Sequence, residues 1–162
     1  MRKIALAVLS LVVAVSSRAA DAVYLDQMME SPLATLQTQF PNLKKEGCYS
    51  VGAGHYVLIS MNKKEGKPWR VAVTSELPCK HPEEAPATEI RQRQGVQLGD
   101  TTIMVLEKMG RPDASAPPEA ALKRLGDLEY FYVCRVSEQC ARHSSVFIKA
   151  GLVTALAEWY SE

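Results

Sequence analysis

Two β-rich runs separated by a two-residue turn leave the end of this chain one way to fold. Ser145–Lys149 (SVFIK) and Leu152–Tyr160 (LVTALAEWY) flank Ala150-Gly151. A connector that short can only reverse the chain, so the two runs pair as an antiparallel hairpin. Side chains alternate along a strand. In the last run Val153, Ala155, Ala157 and Trp159 are expected on one face, with Leu152, Thr154, Leu156, Glu158 and Tyr160 on the other.

The same kind of signal recurs upstream. Cys48–Val51 precedes the turn Gly52-Ala53-Gly54, and Tyr56–Met61 is a second run rich in β-formers. The polar stretch 62–68 (NKKEGKP) then leads to the alternating run Trp69–Ser75. Two such runs joined by a Gly-containing polar link read as another hairpin. Leu128–Cys134 (LEYFYVC) adds a further strand.

Helical signals lie between these runs. In 88–112, Asp100 is placed to cap a helix over 100–109, with Ile103, Leu106 and Met109 as its apolar stripe. Gly110 can take the left-handed closing conformation, and Pro112 forbids resumption. Ser31 and Pro32 open a second helix, carrying Leu33, Leu36 and Phe40 and stopped by Pro41. A short third helix is expected over Pro118–Leu125, ended by Gly126, after a loop at Ala114–Glu119. Residues 23–30 are too short to assign, and the Pro-rich stretch 77–87 reads as a surface linker. The expected class is α+β: an antiparallel sheet with two or three short helices on one face. Helix 31–40 leads to one hairpin and helix 100–109 to another, a faint repeat that predicts two helix-then-sheet units sharing one sheet.

The first residues carry a different message. Met1-Arg2-Lys3 precedes the uncharged apolar run Ile4–Val15, and small residues follow at Ser16, Ser17, Ala19, Ala20 and Ala22. That order is the signature of a secretory leader. A leader at 1–22 is expected, cut after Ala19 or Ala22, with one α+β domain over 23–162. The apolar run falls short of the roughly 20 residues a span needs, and no other stretch qualifies, so no membrane span is expected. The destination is the periplasm or the exterior.

Charge and cysteines sharpen this. The chain has 19 basic and 18 acidic residues. A cut after Ala19 removes Arg2, Lys3 and Arg18, leaving a slightly acidic remainder. Nucleic-acid binding demands a basic footprint, and none is present. Four cysteines, Cys48, Cys79, Cys134 and Cys140, suit two disulfides in an oxidising compartment. Four cysteines allow three connectivities. Cys48–Cys79 and Cys134–Cys140 are favoured because each pair falls within one half of the chain. Zinc sites show paired short spacings such as CxxC. The isolated Cys79-Lys80-His81 does not fit, so no metal and no cofactor is expected.

The stretch Gly95-Val96-Gln97-Leu98-Gly99-Asp100-Thr101, with Val105, Met109-Gly110 and Pro112 after it, resembles the start of the helix in SmpA/OmlA outer-membrane assembly lipoproteins. The layout is similar to the β-lactamase-inhibitor-protein-like fold. Tyr130-Phe131-Tyr132 and Phe147–Val153 fill the places of the aromatic strand and the hairpin in that pattern. The resemblance covers about 88–160. It implies a small bacterial envelope protein with a helix-on-sheet fold. Its motif residues, Gly99, Asp100, Gly110 and Pro112, are structural. The chain carries no lipidation cysteine near the expected cleavage sites.

No catalytic pattern stands out. The histidines, His55, His81 and His143, have no partner spacing of a known kind, and GxSxG, HExxH, phosphate-loop and GxGxxG motifs are missing. Glu83-Glu84 reads as a solvated pair. Aromatic residues instead concentrate on the strands. Tyr56, Trp69, Tyr130, Tyr132 and Trp159 are candidates for a binding face on the uncovered side of the sheet. The expectation is a non-catalytic exported module that binds another envelope or secreted protein, as an inhibitor, an immunity-type factor or an assembly accessory. The alternative is a small apolar ligand or lipid held between helices and sheet.

Overall fold

The computed structural model describes residues 22–134 and 142–160. Most of the expected leader, the C-terminal Ser161 and Glu162, and Cys140 lie outside them. Two three-stranded meanders meet at the centre of one open sheet. The first is β2 (Glu46–Ser50), β3 (Tyr56–Asn62) and β4 (Lys67–Thr74). The second is β8 (Leu128–Val133), β9 (Arg142–Lys149) and β10 (Leu152–Tyr160). The last strand of each, β4 and β10, pair antiparallel, with Ala72 opposite Ala157. Short strands complete the edges: β5 (Glu83–Glu84) beside β2, and β7 (Ala114–Ala116) beside β8. The eight-stranded order is β5-β2-β3-β4-β10-β9-β8-β7. The fold is α+β, and it joins two helix-then-sheet units as the faint repeat implies. A separate parallel pair links β1 (Val23–Tyr24) to β6 (Ile90–Arg91).

One face of the sheet carries the main core. The helix α1 (Leu25–Glu30), left unassigned by the sequence, lies across β4 and β10 and buries Leu25, Met28 and Met29. The expected helix 31–40 shrinks to α2 (Leu33–Gln37). Ser31 does not cap it. Its hydroxyl donates to the Gln27 carbonyl at 2.8 Å and closes α1, and Pro32 takes the cap position of α2. Leu36 and Phe40 still bury against the sheet.

The helix α3 (Thr102–Met109) starts two residues later than expected. Its cap is Thr101, whose hydroxyl accepts from Met104 N at 3.3 Å. Asp100 is withdrawn from that role because its carboxylate is buried and turned back to the Gln97 N–H at 3.0 Å. The stripe is also different. Val105 is the residue buried, while Ile103 is 68% exposed. Gly110 closes the helix at φ 77° and donates to the Leu106 carbonyl at 2.9 Å.

Two irregularities break the simple alternation. A register shift between Val153 and Ala155 turns Val153 to the helix side with Leu156, leaving Ala155, Ala157 and Trp159 on the other face. A second shift pairs Ser60 with Arg70 but Met61 with Pro68, so Trp69 has no opposite residue. Such a bulge re-aims the side chains beside it.

The stretch expected as a linker is strapped to the sheet. Cys48 of β2 is bonded to Cys79, and Glu83–Glu84 adds a parallel edge strand. Likewise Ala114–Ala116, expected as loop, is edge strand β7. Cys134 is also disulfide-bonded, and its expected partner Cys140 lies outside the described residues. No helix among the described residues is long and apolar enough to cross a membrane.

Candidate functional site

The face of the sheet away from α1 is open, and a groove of 420 Å³ runs across it. Its floor is made by small residues at the sheet centre. Ala72 and Ala157, opposite each other on β4 and β10, leave a trough that larger neighbours border. Trp69, Trp159, Phe131 and Phe147 supply aromatic surface, and Leu58 and Leu122 add aliphatic surface. Phe131 and Trp159 lie 5.8 Å apart between ring centres, and His143 stacks on Phe131 at 5.1 Å. Trp69 is 38% exposed, although aromatic residues of its size bury most of their surface in cores.

One wall is a 3₁₀ helix at Ala120–Leu125, the short helix the sequence expects after Pro118. It sits on the open face, whereas the sequence reading put the helices on one side. Its position is fixed at its end. Leu125 is buried, and its carbonyl accepts from the Thr154 hydroxyl at 2.5 Å. Asp127 N donates to the Ile148 carbonyl at 2.9 Å. Gly126 makes this approach possible, because a Cβ there would stand 2.9 Å from both backbone N and O of Ile148.

Four charged residues line the groove: Arg70, Arg124, Glu119 and Glu129. Glu129 accepts a short hydrogen bond from the buried Ser145 hydroxyl, so one of its oxygens is engaged. The Arg70 guanidinium lies 4.8 Å from the centre of the Trp69 ring, a cation–π contact that holds both side chains at the rim. Among the described residues the lining contains no histidine, cysteine, serine or lysine. Among the described residues no cluster of three His, Cys, Asp or Glu could hold a metal ion.

The five aromatic residues singled out from sequence divide between the faces. Trp69 and Trp159 line the groove. Alternation puts Tyr56 on the same face as Leu58, half-buried and outside the groove lining. Tyr130 and Tyr132 go the other way and pack with the main core. Tyr132 donates to the Gly110 carbonyl at 3.2 Å, and burial pushes its hydroxyl pKa up to about 12. Their partner Phe131, between them in sequence, is the β8 residue that reaches the groove. Comparison with protein-family models, with curated proteins and with solved structures returns no match.

The motif residues hold the second meander in place. Gly99, at φ 84°, donates to the Val153 carbonyl at 2.9 Å, and Val153 N donates to the Asp100 carbonyl at 2.8 Å. Pro112 leads into β7. Among the histidines, His143 joins the aromatic group beside the groove, and His55 and His81 lie outside its lining.

A second polar arrangement lies on the helix side. Glu158 of β10 is 3% exposed and lies 3.4 Å from Arg142 Nε, close enough for an ion pair but not aligned for a hydrogen bond. Burial pushes its carboxyl up to about 7, against the pull of Arg142. Glu30 of α1 accepts from the Tyr160 hydroxyl at 2.5 Å and pairs with Lys67 at 3.2 Å. These contacts tie α1 to the edge of the core.

Proposed function

We propose that this chain is an exported, non-catalytic binding protein whose working surface is the aromatic groove on the open face of the sheet. One observation carries the reading: the chain's two tryptophans both border a single groove on a face that α1, α2 and α3 leave uncovered. Apolar surface left in water costs about 25 cal/mol per Å², so a concentrated patch of it marks a site of contact. The groove falls within the range of about 300–1,000 Å³ typical of small-molecule sites. Its occupant is therefore a small molecule with a substantial apolar part, seated under the 3₁₀ helix rather than between α1 and the sheet. Export is supported by the leader-like start and by the Cys48–Cys79 disulfide.

A second surface favours a partner protein. The outer side of α3 exposes Ile103, Met104 and Leu106, with Leu152 46% exposed beside the start of the helix. An exposed apolar helix face of this kind suits a protein contact. It is where an envelope-assembly, inhibitor or immunity role, in line with the SmpA/OmlA resemblance, would be exercised.

Titration with N-phenyl-1-naphthylamine, a neutral dye that brightens in apolar sites, tests the groove. Saturable one-to-one binding, weakened about tenfold or more in W159A, is the expected result. Dye binding unchanged in W159A and W69A, or no binding at all, would overturn the reading.

A further inference from the structure

We infer that the occupant of the groove is a free amphiphile with a carboxylate head, its tail on the aromatic floor and its head at Arg70 and Arg124; this rests on the groove being the binding site. Both arginines border the groove and also the neighbouring hollow of 310 Å³ beside Cys48 and Cys79. They therefore stand where the apolar trough gives way to a more polar recess. Among the described residues neither guanidinium forms an ion pair with a carboxylate, and that of Arg70 lies over the Trp69 ring.

The two acidic groups in the lining compete less than their number implies. Glu129 is engaged by the Ser145 hydroxyl, and Glu119 is exposed at the start of the 3₁₀ helix. A guanidinium is a planar fork that matches a carboxylate in two-point contact, and two of them line the same recess. An apolar trough ending in such donors selects a molecule with one apolar and one anionic end. A purely apolar ligand would leave both arginines unanswered, and a cationic head set against them would be repelled, with Glu46 of the recess, Glu119 and Glu129 as its alternative seats.

The tryptophans report on this directly, since both line the groove. Protein produced from the full-length chain would be titrated with laurate, dodecanol and dodecyltrimethylammonium below their micelle concentrations, following tryptophan fluorescence. Laurate should bind one-to-one and about tenfold or more tighter than dodecanol, with the cation weakest. R70Q/R124Q should abolish the advantage of laurate, so that laurate and dodecanol bind alike within that variant, with its urea midpoint checking that it folds. In the unaltered protein the advantage of laurate should shrink as salt rises. Equal binding of all three, or an advantage indifferent to salt, would overturn the role of the arginines and leave the groove reading in place. Tightest binding of the cation would overturn it in favour of Glu46, Glu119 and Glu129. A response only to phosphatidylglycerol vesicles, and none to monomeric laurate, would overturn the free amphiphile. Failure of all three probes would overturn the groove reading itself.

Discussion

The Nζ of Lys108 lies 2.7 Å from Oδ2 of Asp100, reaching back along α3 to a carboxylate that is 3% exposed. The same ammonium donates to the Gly95 carbonyl at 2.9 Å, and the Asp100 carboxylate accepts from Gln97 N. Asp100 thus knots the loop before α3 to the helix's far end, while Thr101 does the capping. Removing one member of a buried pair strands the other. K108M should therefore cost roughly 3 kcal/mol. T101A, which removes only a cap bond, should cost about 1 kcal/mol. Urea denaturation of the two variants checks the order; a K108M cost no larger than that of T101A would show that Asp100 is not held this way.

Glu158 sets a pH dependence opposite to that of an ordinary ion-paired carboxylate. Its folded-state pKa is raised from 4.5 to about 7, chiefly by burial. The folded protein therefore holds more protons than the unfolded chain between those values, and stability falls as pH rises through that window. Arg142 and Arg93 oppose the shift and Asp26 adds to it, with Gln92 the neutral neighbour. In E158Q the slope between about pH 4.5 and 7 should flatten. Above that window the variant should gain up to roughly 3 kcal/mol. Denaturation midpoints measured across the pH range test this, and an unchanged slope in E158Q would contradict it.

The Cys48–Cys79 bond spans 31 residues and straps 79–84 to the sheet edge. Replacing both cysteines by alanine should lower stability by about 3–4 kcal/mol on the chain-entropy account. It should also free β5 from β2 and speed amide exchange at Ser50, the β2 residue that faces β5 and whose carbonyl accepts from Ala85 N. Hydrogen exchange resolved by residue checks the second effect; protection unchanged at β2 would mean that the strand pairing holds without the bond.

Gly126 brings the wall of the groove onto β9. A methyl group there meets Ile148 backbone atoms at 2.9 Å and Phe147 Cβ at 3.1 Å, and backbone cannot step aside as a flexible side chain can. G126A should cost about 1–3 kcal/mol, as overpacking does. It should also displace the 3₁₀ helix and weaken dye binding in the groove. Thermal melting and the dye titration together check this, and a variant as stable as the parent would show that the wall is loosely placed.

Much of the sheet was legible in the sequence because hairpins announce themselves locally. Ala150-Gly151 adopts positive φ at both residues, 51° and 81°, as a tight β-turn requires, and β9 and β10 follow from it. The end of α3 was legible in Gly110 and Pro112 for the same reason. Its start was not, since Asp100 and Thr101 are both good caps and the buried contacts of Asp100 with Gln97 N and Lys108 decide between them. The candidate groove was half legible. Trp69 and Trp159 stood out as aromatic, but choosing Tyr130 and Tyr132 over Phe131 needed the phase of β8 relative to the core. The bulges beside Trp69 and Thr154 shift that phase elsewhere in the sheet, and no local pattern marks them. The trough itself comes from two alanines, Ala72 and Ala157, that meet only when distant strands pair.

The most direct test of the groove is the pair of tryptophan indole N–H signals in the NMR spectrum of isotope-labelled protein. The chain has two tryptophans, and both line the groove. On adding laurate, the account predicts that both signals move together and saturate at one ligand per protein. Laurate binding that leaves both indole signals unmoved would place the ligand elsewhere and contradict it.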